Sequence, residues 1–383
     1  MKKRKNPLLQ IGRYGQSIWL DLLGRDMLLS GELKRLIEED GVTGVTSNPA
    51  IFEKDMTGSS AYDDRIRELA LEGKSTEEIY RALAVEDIRM AADHLRPLYD
   101  RLEGRDGFVS LEVSPHLARD ADKTVSEARM LWAAVNRPNI LIKVPATREG
   151  LPAIRKLIAG GINVNITLLF GLTRYREVVE AYLAGLEDRL ELQEPMDRIA
   201  SVASFFLSRI DVMVDPLLEE KMAEGGPAGK LASALHGEVA VSCAKMAYRS
   251  YQALFASARF ENLFRWGARI QRLLWASTST KNPAYGDVKY VEPLIGPDTI
   301  NTVPLETLQA YRDHGRPASR LERGRTRAEK VLKDLSRLGI DLERVAQDLE
   351  DEGIEKFIKP YDKLLDRLAD KRAAFLREAG SGG

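Results

Sequence analysis

Asn139-Ile140-Leu141-Ile142-Lys143-Val144-Pro145 is an apolar run of the length of a buried strand, broken by a single lysine. Runs of the same kind recur at Ser17 to Leu22, Val42 to Ser47, Phe108 to Val113, Ile162 to Phe170, Ser201 to Leu207, Arg272 to Ser277 and Thr299 to Val303. The segments between them carry helical spacing, so strands and helices alternate along the chain. Alternation of this kind predicts a parallel sheet with helices packed outside it. Eight such strands predict an α/β protein of the (β/α)8 TIM-barrel type, with extra helices in the connections after strands two and six. An open doubly wound sheet is the alternative, but no glycine-rich phosphate loop follows an early strand.

The punctuation of the helices agrees with this reading. Ser75 with Glu78, and Thr124 with Glu127, have the spacing of capping boxes, in which each side chain satisfies a backbone donor at a helix start. Leu33, Leu36 and Ile37 share one helical face, and Gly41 can close that helix. Beyond Gly315 the pattern is wholly helical, with Val331, Leu332, Leu335 and Leu338 and then Phe357, Ile358, Tyr361, Leu364, Leu365 and Leu368 as apolar stripes. The expected organisation is a barrel domain over 1–315, a C-terminal helical extension over 316–378 packed on it, and a flexible tail over 379–383.

Composition narrows the function. The 383 residues carry 57 Lys+Arg against 58 Asp+Glu, a net charge of -1, which predicts neither a nucleic-acid nor a membrane partner. No apolar run reaches membrane-spanning length, and the basic start Lys2-Lys3-Arg4-Lys5 leads into Gln10, Arg13 and Gln16 rather than an apolar leader. The single cysteine, Cys243, permits no internal disulfide, so a cytoplasmic location is expected. The histidines His94, His116, His236 and His314 lack metal-ligand spacing, and neither a metal nor another cofactor is expected.

Lys143 is then the residue to explain. Lysines are rarely buried without a partner, and a lysine amine that gives up its charge is a nucleophile suited to forming a Schiff base with a carbonyl. A strand-end lysine that snorkels to water is the plainer alternative. In a barrel the active site lies at the C-terminal ends of the strands, and the polar residues there form a series. Strand one ends in Asp21, strand two in Ser47-Asn48, strand three in Glu112 and strand four in Lys143. Strand five offers Asn165 and Thr167, strand six Ser204, Phe206 and then Arg209, and strand seven Ser277 with Lys281 beyond it. Each has a structural alternative: Asp21 as a helix cap, Asn48 as a turn residue before Pro49, Glu112 as an ion-pair partner of Lys143. Gathered in one mouth they would be costly as structure alone, which points to function.

The stretches Ile18-Trp19-Leu20-Asp21, Gly44-Val45-Thr46-Ser47-Asn48-Pro49, Ser110-Leu111-Glu112-Val113-Ser114-Pro115 and Ile142-Lys143-Val144-Pro145-Ala146-Thr147 resemble the transaldolase family. So do Asn163-Val164-Asn165-Ile166-Thr167-Leu168-Leu169-Phe170 and Trp275-Ala276-Ser277-Thr278-Ser279-Thr280-Lys281-Asn282. The resemblance implies a metal-free transfer of a dihydroxyacetone unit between sugar phosphates in the pentose phosphate pathway. It implies Lys143 as the Schiff-base residue, Glu112 and Thr167 as holders of a proton-shuttling water, and Asp21 as acid/base for carbon-carbon cleavage. Asn48 and Asn165 would bind the three-carbon hydroxyls. Arg209 with Ser277 and Lys281 would hold the phosphate, and Ser204 would support that pocket.

One departure stands out. The family commonly places an arginine soon after the strand-seven serine, whereas this chain reads Thr278-Ser279-Thr280-Lys281, the variant of a longer bacterial branch. Lysine binds phosphate as a point charge and lacks the bidentate fork of arginine. Two other functions compete. A fructose-6-phosphate aldolase would usually carry glutamine at Glu112 and tyrosine at Phe206; a catalytically silent sugar-phosphate binder would lack one of Lys143, Asp21 or Glu112. The oligomeric state, monomer or homodimer, is not readable from the sequence.

Overall fold

The computed structural model describes residues 6–381. Eight strands run parallel and close on themselves: β1 (Gln16–Asp21), β2 (Val42–Thr46), β3 (Phe108–Glu112), β4 (Ile140–Pro145), β5 (Val164–Leu169), β6 (Ser201–Phe206), β7 (Arg272–Ala276) and β8 (Thr299–Val303). Each pairs with its neighbours in sequence, and β8 returns to β1, so the sheet has no edge. The expected (β/α)8 TIM barrel is the observed fold.

Burial on both faces explains why these strands read as continuous apolar runs rather than alternating ones. Every residue of β4, β5 and β6 is buried. Trp19 and Trp275 are the largest fully buried side chains; the Trp19 indole fills the space beside Gly44, where an added Cβ would come within 2.4 Å of the ring. A glycine in β2 is therefore the condition for a tryptophan in β1.

The extra helices fall where expected. Helices Pro49–Gly58, Asp63–Leu71 and Thr76–Arg101 lie between β2 and β3, and Ser208–Glu224, Gly226–Leu235, Val239–Phe255 and Ala258–Arg265 between β6 and β7. The Ser75/Glu78 capping box forms as read, with Glu78 N–H donating to Ser75 Oγ at 3.2 Å and Ser75 N–H to Glu78 Oε2 at 2.8 Å. Gly41 closes helix Glu32–Asp40 at φ 72°. The Thr124/Glu127 box does not form. Asp120 caps that helix instead, accepting from Lys123 N–H at 3.0 Å, so the helix starts at Ala121 and Thr124 lies inside it. An aspartate at an earlier turn outcompetes the threonine.

After β8 come helices Leu305–His314, Arg325–Arg337 and Leu342–Ser381. The last is one helix of 40 residues that crosses the C-terminal mouth of the barrel. It is helical through Ala379 and Ser381, where the sequence reading places a flexible tail; Gly382 and Gly383 lie outside the described residues. Leu349, Ile354, Phe357, Tyr361, Leu364 and Leu368 form its buried stripe at helical spacing. Ion pairs flank the stripe: Arg119–Asp351 at 2.6 Å, His116–Asp362 at 2.6 Å, Lys363–Glu53 at 2.7 Å and Lys371–Asp63 at 2.7 Å. Most of these groups are solvated, so each pair contributes about 0–1 kcal/mol and sets register more than stability. Among the described residues no helix is long and apolar enough to cross a membrane.

Candidate active site

The parallel register brings the expected residues together. Glu112 on β3 lies opposite Lys143 on β4, Lys143 lies opposite Asn165 on β5, and Thr167 lies opposite Pro145. Lys143 is 5% exposed. It does not snorkel. Its ammonium donates to the Ser47 carbonyl oxygen at 2.8 Å and forms an ion pair with Glu112 Oε1, whose side chain is also buried. That glutamate oxygen accepts no aligned hydrogen bond, and neither does the buried Thr167 Oγ1. Burial pushes the Glu112 carboxyl above the usual carboxylate range, with Lys143 opposing the shift.

Glu112, Lys143 and Thr167 line a common cavity of about 10 Å³, lined also by Ile354 and Phe357 of the last helix. A space of that size has room for about one water molecule. Glu112, Lys143 and Thr167 are the polar residues of a wall that is otherwise apolar.

β5 is irregular at this point. Its pairing with β6 shifts between Ile166 and Leu169, and Leu168 adopts φ 54°, a bulge beside Thr167. Bulges of this kind re-aim a side chain next to a site. Asn165, two residues earlier, is fully buried in a polar chain: Ser204 Oγ donates to its Oδ1 at 2.6 Å, and its Nδ2 donates to Ser110 Oγ at 2.9 Å. Ser204 is thus placed against Asn165 rather than free in a phosphate pocket.

Asp21 ends β1 opposite Thr46. Thr46 Oγ1 lies 2.7 Å from Asp21 Oδ1 and 2.7 Å from Thr302 Oγ1. With the carboxylate accepting from Thr46, the Thr302 hydroxyl must donate to Thr46, a three-residue relay across β8, β2 and β1. Burial raises the Asp21 pKa, while Lys143 and the Thr46 hydrogen bond lower it. Asn48 caps helix Pro49–Gly58, accepting from Ile51 N–H at 3.0 Å, so its turn-residue role is real. That cap uses only its oxygen and holds the amide at the end of β2.

On the opposite side of the mouth, Ser208 N–H donates to the Ser277 carbonyl at 3.0 Å and the two hydroxyls meet at 2.8 Å, which sets Arg209 beside the end of β7. Ser277 takes φ 54°, a left-handed conformation rare outside glycine. Arg209 is largely buried, its Nη1 has no hydrogen-bond partner, its guanidinium lies 5.9 Å from the Phe206 ring, and burial lowers its pKa. A buried guanidinium with an unpaired donor is suited to an anion. Lys281 is exposed and donates to Ser279 Oγ at 2.7 Å. Lys289 and Tyr290 donate to Asp211 Oδ2, each at 2.8 Å, and tie the segment after β7 to the helix that carries Arg209.

A family model described as transaldolase/fructose-6-phosphate aldolase matches residues 18–368, barrel and last helix together. The chain belongs to this family. Among proteins of the family, the transaldolase of Thermobifida fusca is 47% identical over 370 residues, covering 96% of this chain and 99% of that protein. A second, named transaldolase 2, from Nostoc sp., is 46% identical over 96% of this chain and 97% of its own length. The transaldolase of Acidothermus cellulolyticus is 45% identical over 98% of this chain and 99% of its own length.

Sequence reasoning missed several residues of this family member's site. Thr46 and Thr302 support Asp21, Ser110 supports Asn165, and Ile354 and Phe357 cover Lys143. Ser110 was findable, since it precedes Glu112 by two and shares its face of β3. A larger cavity of about 890 Å³ lies at the other end of the barrel, lined by strand starts such as Gln16, Phe108, Ser201 and Arg272. Barrel chemistry is not placed at that end.

Proposed function

We infer that this chain is a transaldolase acting in sugar-phosphate interconversion, and we propose that it works through a Schiff base on Lys143. The donor is a ketose phosphate such as sedoheptulose 7-phosphate or fructose 6-phosphate, and the acceptor an aldose phosphate, glyceraldehyde 3-phosphate or erythrose 4-phosphate. This is a cytoplasmic step of the pentose phosphate pathway. The observation that carries the proposal is the grouping of Lys143, Glu112 and Thr167 around a cavity with room for about one water.

Those positions are consistent with the following steps. Glu112, readied as a proton acceptor by burial, takes the Lys143 proton, and the amine attacks the substrate carbonyl. A water held by Glu112 and Thr167 carries protons as the carbinolamine forms and loses water to give the Schiff base. Asp21 accepts the proton of the C4 hydroxyl as the C3–C4 bond breaks, and the aldose phosphate departs. The three-carbon unit remains on Lys143, its hydroxyls held by Asn48 and Asn165. An incoming aldose phosphate reverses the steps, with Asp21 returning the proton. Arg209, with Ser277 and Lys281, holds the phosphate of donor and acceptor in turn; Phe206 packs beneath the Arg209 guanidinium.

Glu112 and Phe206, rather than glutamine and tyrosine, favour transfer over free aldol cleavage. A coupled assay with fructose 6-phosphate as donor tests this, comparing erythrose 4-phosphate with water as acceptor. Product formation dominated by transfer is the expected result. Equal or faster release of free dihydroxyacetone would assign the chain to aldolase chemistry.

A further inference from the structure

Ile354 and Phe357 reach the chamber around Lys143 from a helix that follows the whole barrel in sequence. We propose that these two side chains decide whether the three-carbon intermediate is transferred or hydrolysed, by sealing the one-water cavity against bulk solvent. The proposal rests on the Schiff-base reading of Lys143.

The competing reaction needs water. After protonation of the bound three-carbon unit, water adds across the C=N bond, its oxygen to carbon and its proton, by relay, to nitrogen. The carbinolamine then breaks its C–N bond, the hydroxyl proton passes to the departing amine, and dihydroxyacetone and free Lys143 result. Transfer instead requires the intermediate to last until an aldehyde binds. A chamber holding about one water, engaged by Glu112 and Thr167 in proton relay, limits the supply for hydrolysis.

The polar wall of that chamber belongs to the barrel: Glu112, Lys143 and Thr167. Its cover belongs to the last helix. Ile354 and Phe357, 6% and 9% exposed, offer no hydrogen bond to a water entering from their side. Contacts outside the chamber fix their position. Gly353 comes so close to the β5 bulge that a Cβ there would lie 3.0 Å from Leu168 Cδ2. Tyr361 packs edge-on against Tyr80 with centroids 5.3 Å apart. The Arg119–Asp351 and His116–Asp362 ion pairs bracket the same turns from either side. A helix located by four residues outside it, Leu168, Tyr80, Arg119 and His116, brings two apolar side chains to the chamber around Lys143.

The experiment measures two rates on the full-length chain with fructose 6-phosphate: release of dihydroxyacetone without acceptor, and transfer to erythrose 4-phosphate. Phe357→Ala is expected to raise the ratio of release to transfer by about threefold to tenfold, a decade being about 1.4 kcal/mol of barrier difference. Phe357→Leu, which refills the wall, is expected to bring the ratio back towards that of the unaltered chain. Loss of folded enzyme lowers both rates together and leaves their ratio in place, so the ratio reports the seal. Ile354→Val provides a milder second variant, expected to move the ratio in the same direction. Borohydride trapping in each protein separates the two claims. Absence of a Lys143 adduct in the unaltered chain would remove the Schiff-base reading. Adducts in all of them, with ratios for Phe357→Ala and Ile354→Val no higher than the unaltered chain's, would overturn the seal while leaving the Schiff base intact.

Discussion

Lys143 and Glu112 face each other in register across β4 and β3 as a buried ion pair, and the lysine's aligned hydrogen bond goes elsewhere, to the Ser47 carbonyl. On the proposed mechanism the pair exchanges a proton as well as neutralising charge. Burying two ions costs several kcal/mol of solvation each, and a structural pair would gain most by a full set of hydrogen bonds. Glu112 Oε1 lacks an aligned one, and the residue lines the water-sized cavity.

Glu112→Gln keeps the shape and removes the proton acceptor. Transfer turnover is expected to fall about 10²-fold or more, the range for general acid–base groups, while free aldol cleavage falls less. Steady-state rates for both reactions on the same preparation check it; an unchanged ratio would show that Glu112 has no part in the relay.

Thr46→Val removes the hydroxyl that donates to Asp21. That bond favours the ionised carboxylate, so its loss raises an already elevated Asp21 pKa further. Asp21 must be ionised to accept the C4 hydroxyl proton. The acid limb of the kcat/KM profile for donor cleavage is expected to move to higher pH, with activity retained on the alkaline side. A limb that stays in place, or moves to lower pH, would remove Asp21 from that step.

Arg209→Lys retains charge and loses the planar fork. The KM for fructose 6-phosphate is expected to rise by about tenfold, roughly 1.4 kcal/mol, with little change for unphosphorylated fructose. Lys281→Ala, removing an exposed ammonium, is expected to have the smaller effect on the same two substrates. The order of the two effects identifies the main phosphate ligand.

Ser204→Ala strips the donor from a fully buried Asn165 oxygen. Leaving that oxygen unsatisfied is expected to cost about 1–3 kcal/mol, read as a lower urea midpoint. Asn165 would then be oriented by Ser110 alone, so the affinity for the three-carbon end of the donor should fall with stability.

The strands were legible because burial on both faces leaves them apolar, and the polar interruptions then fell at their C-terminal ends. Asp21 and Glu112 end their strands and Lys143 and Thr167 lie in the C-terminal halves of theirs, whereas Asn165 is the second residue of β5; the register sets Lys143 between Glu112 and Asn165. Pattern alone could not reveal partners across the barrel. Thr302 supports Asp21 through Thr46, from which it is 256 residues away in sequence, a distance spacing rules do not reach. Nor could it reveal the left-handed backbone at Leu168 and Ser277, since neither is glycine. Phe357 read as part of an apolar core stripe because its helix buries that face; that the face also lines the cavity beside Lys143 appears only once the helix is laid across the mouth.

Borohydride reduction in the presence of fructose 6-phosphate, followed by peptide mass mapping, tests the central claim most directly. The account predicts a reduced dihydroxyacetone adduct on the peptide containing Lys143, and none on the Lys143→Ala protein, which should also have lost transfer activity. An unmodified Lys143 peptide, or a Lys143→Ala protein that still transfers the three-carbon unit at the original rate, would contradict it.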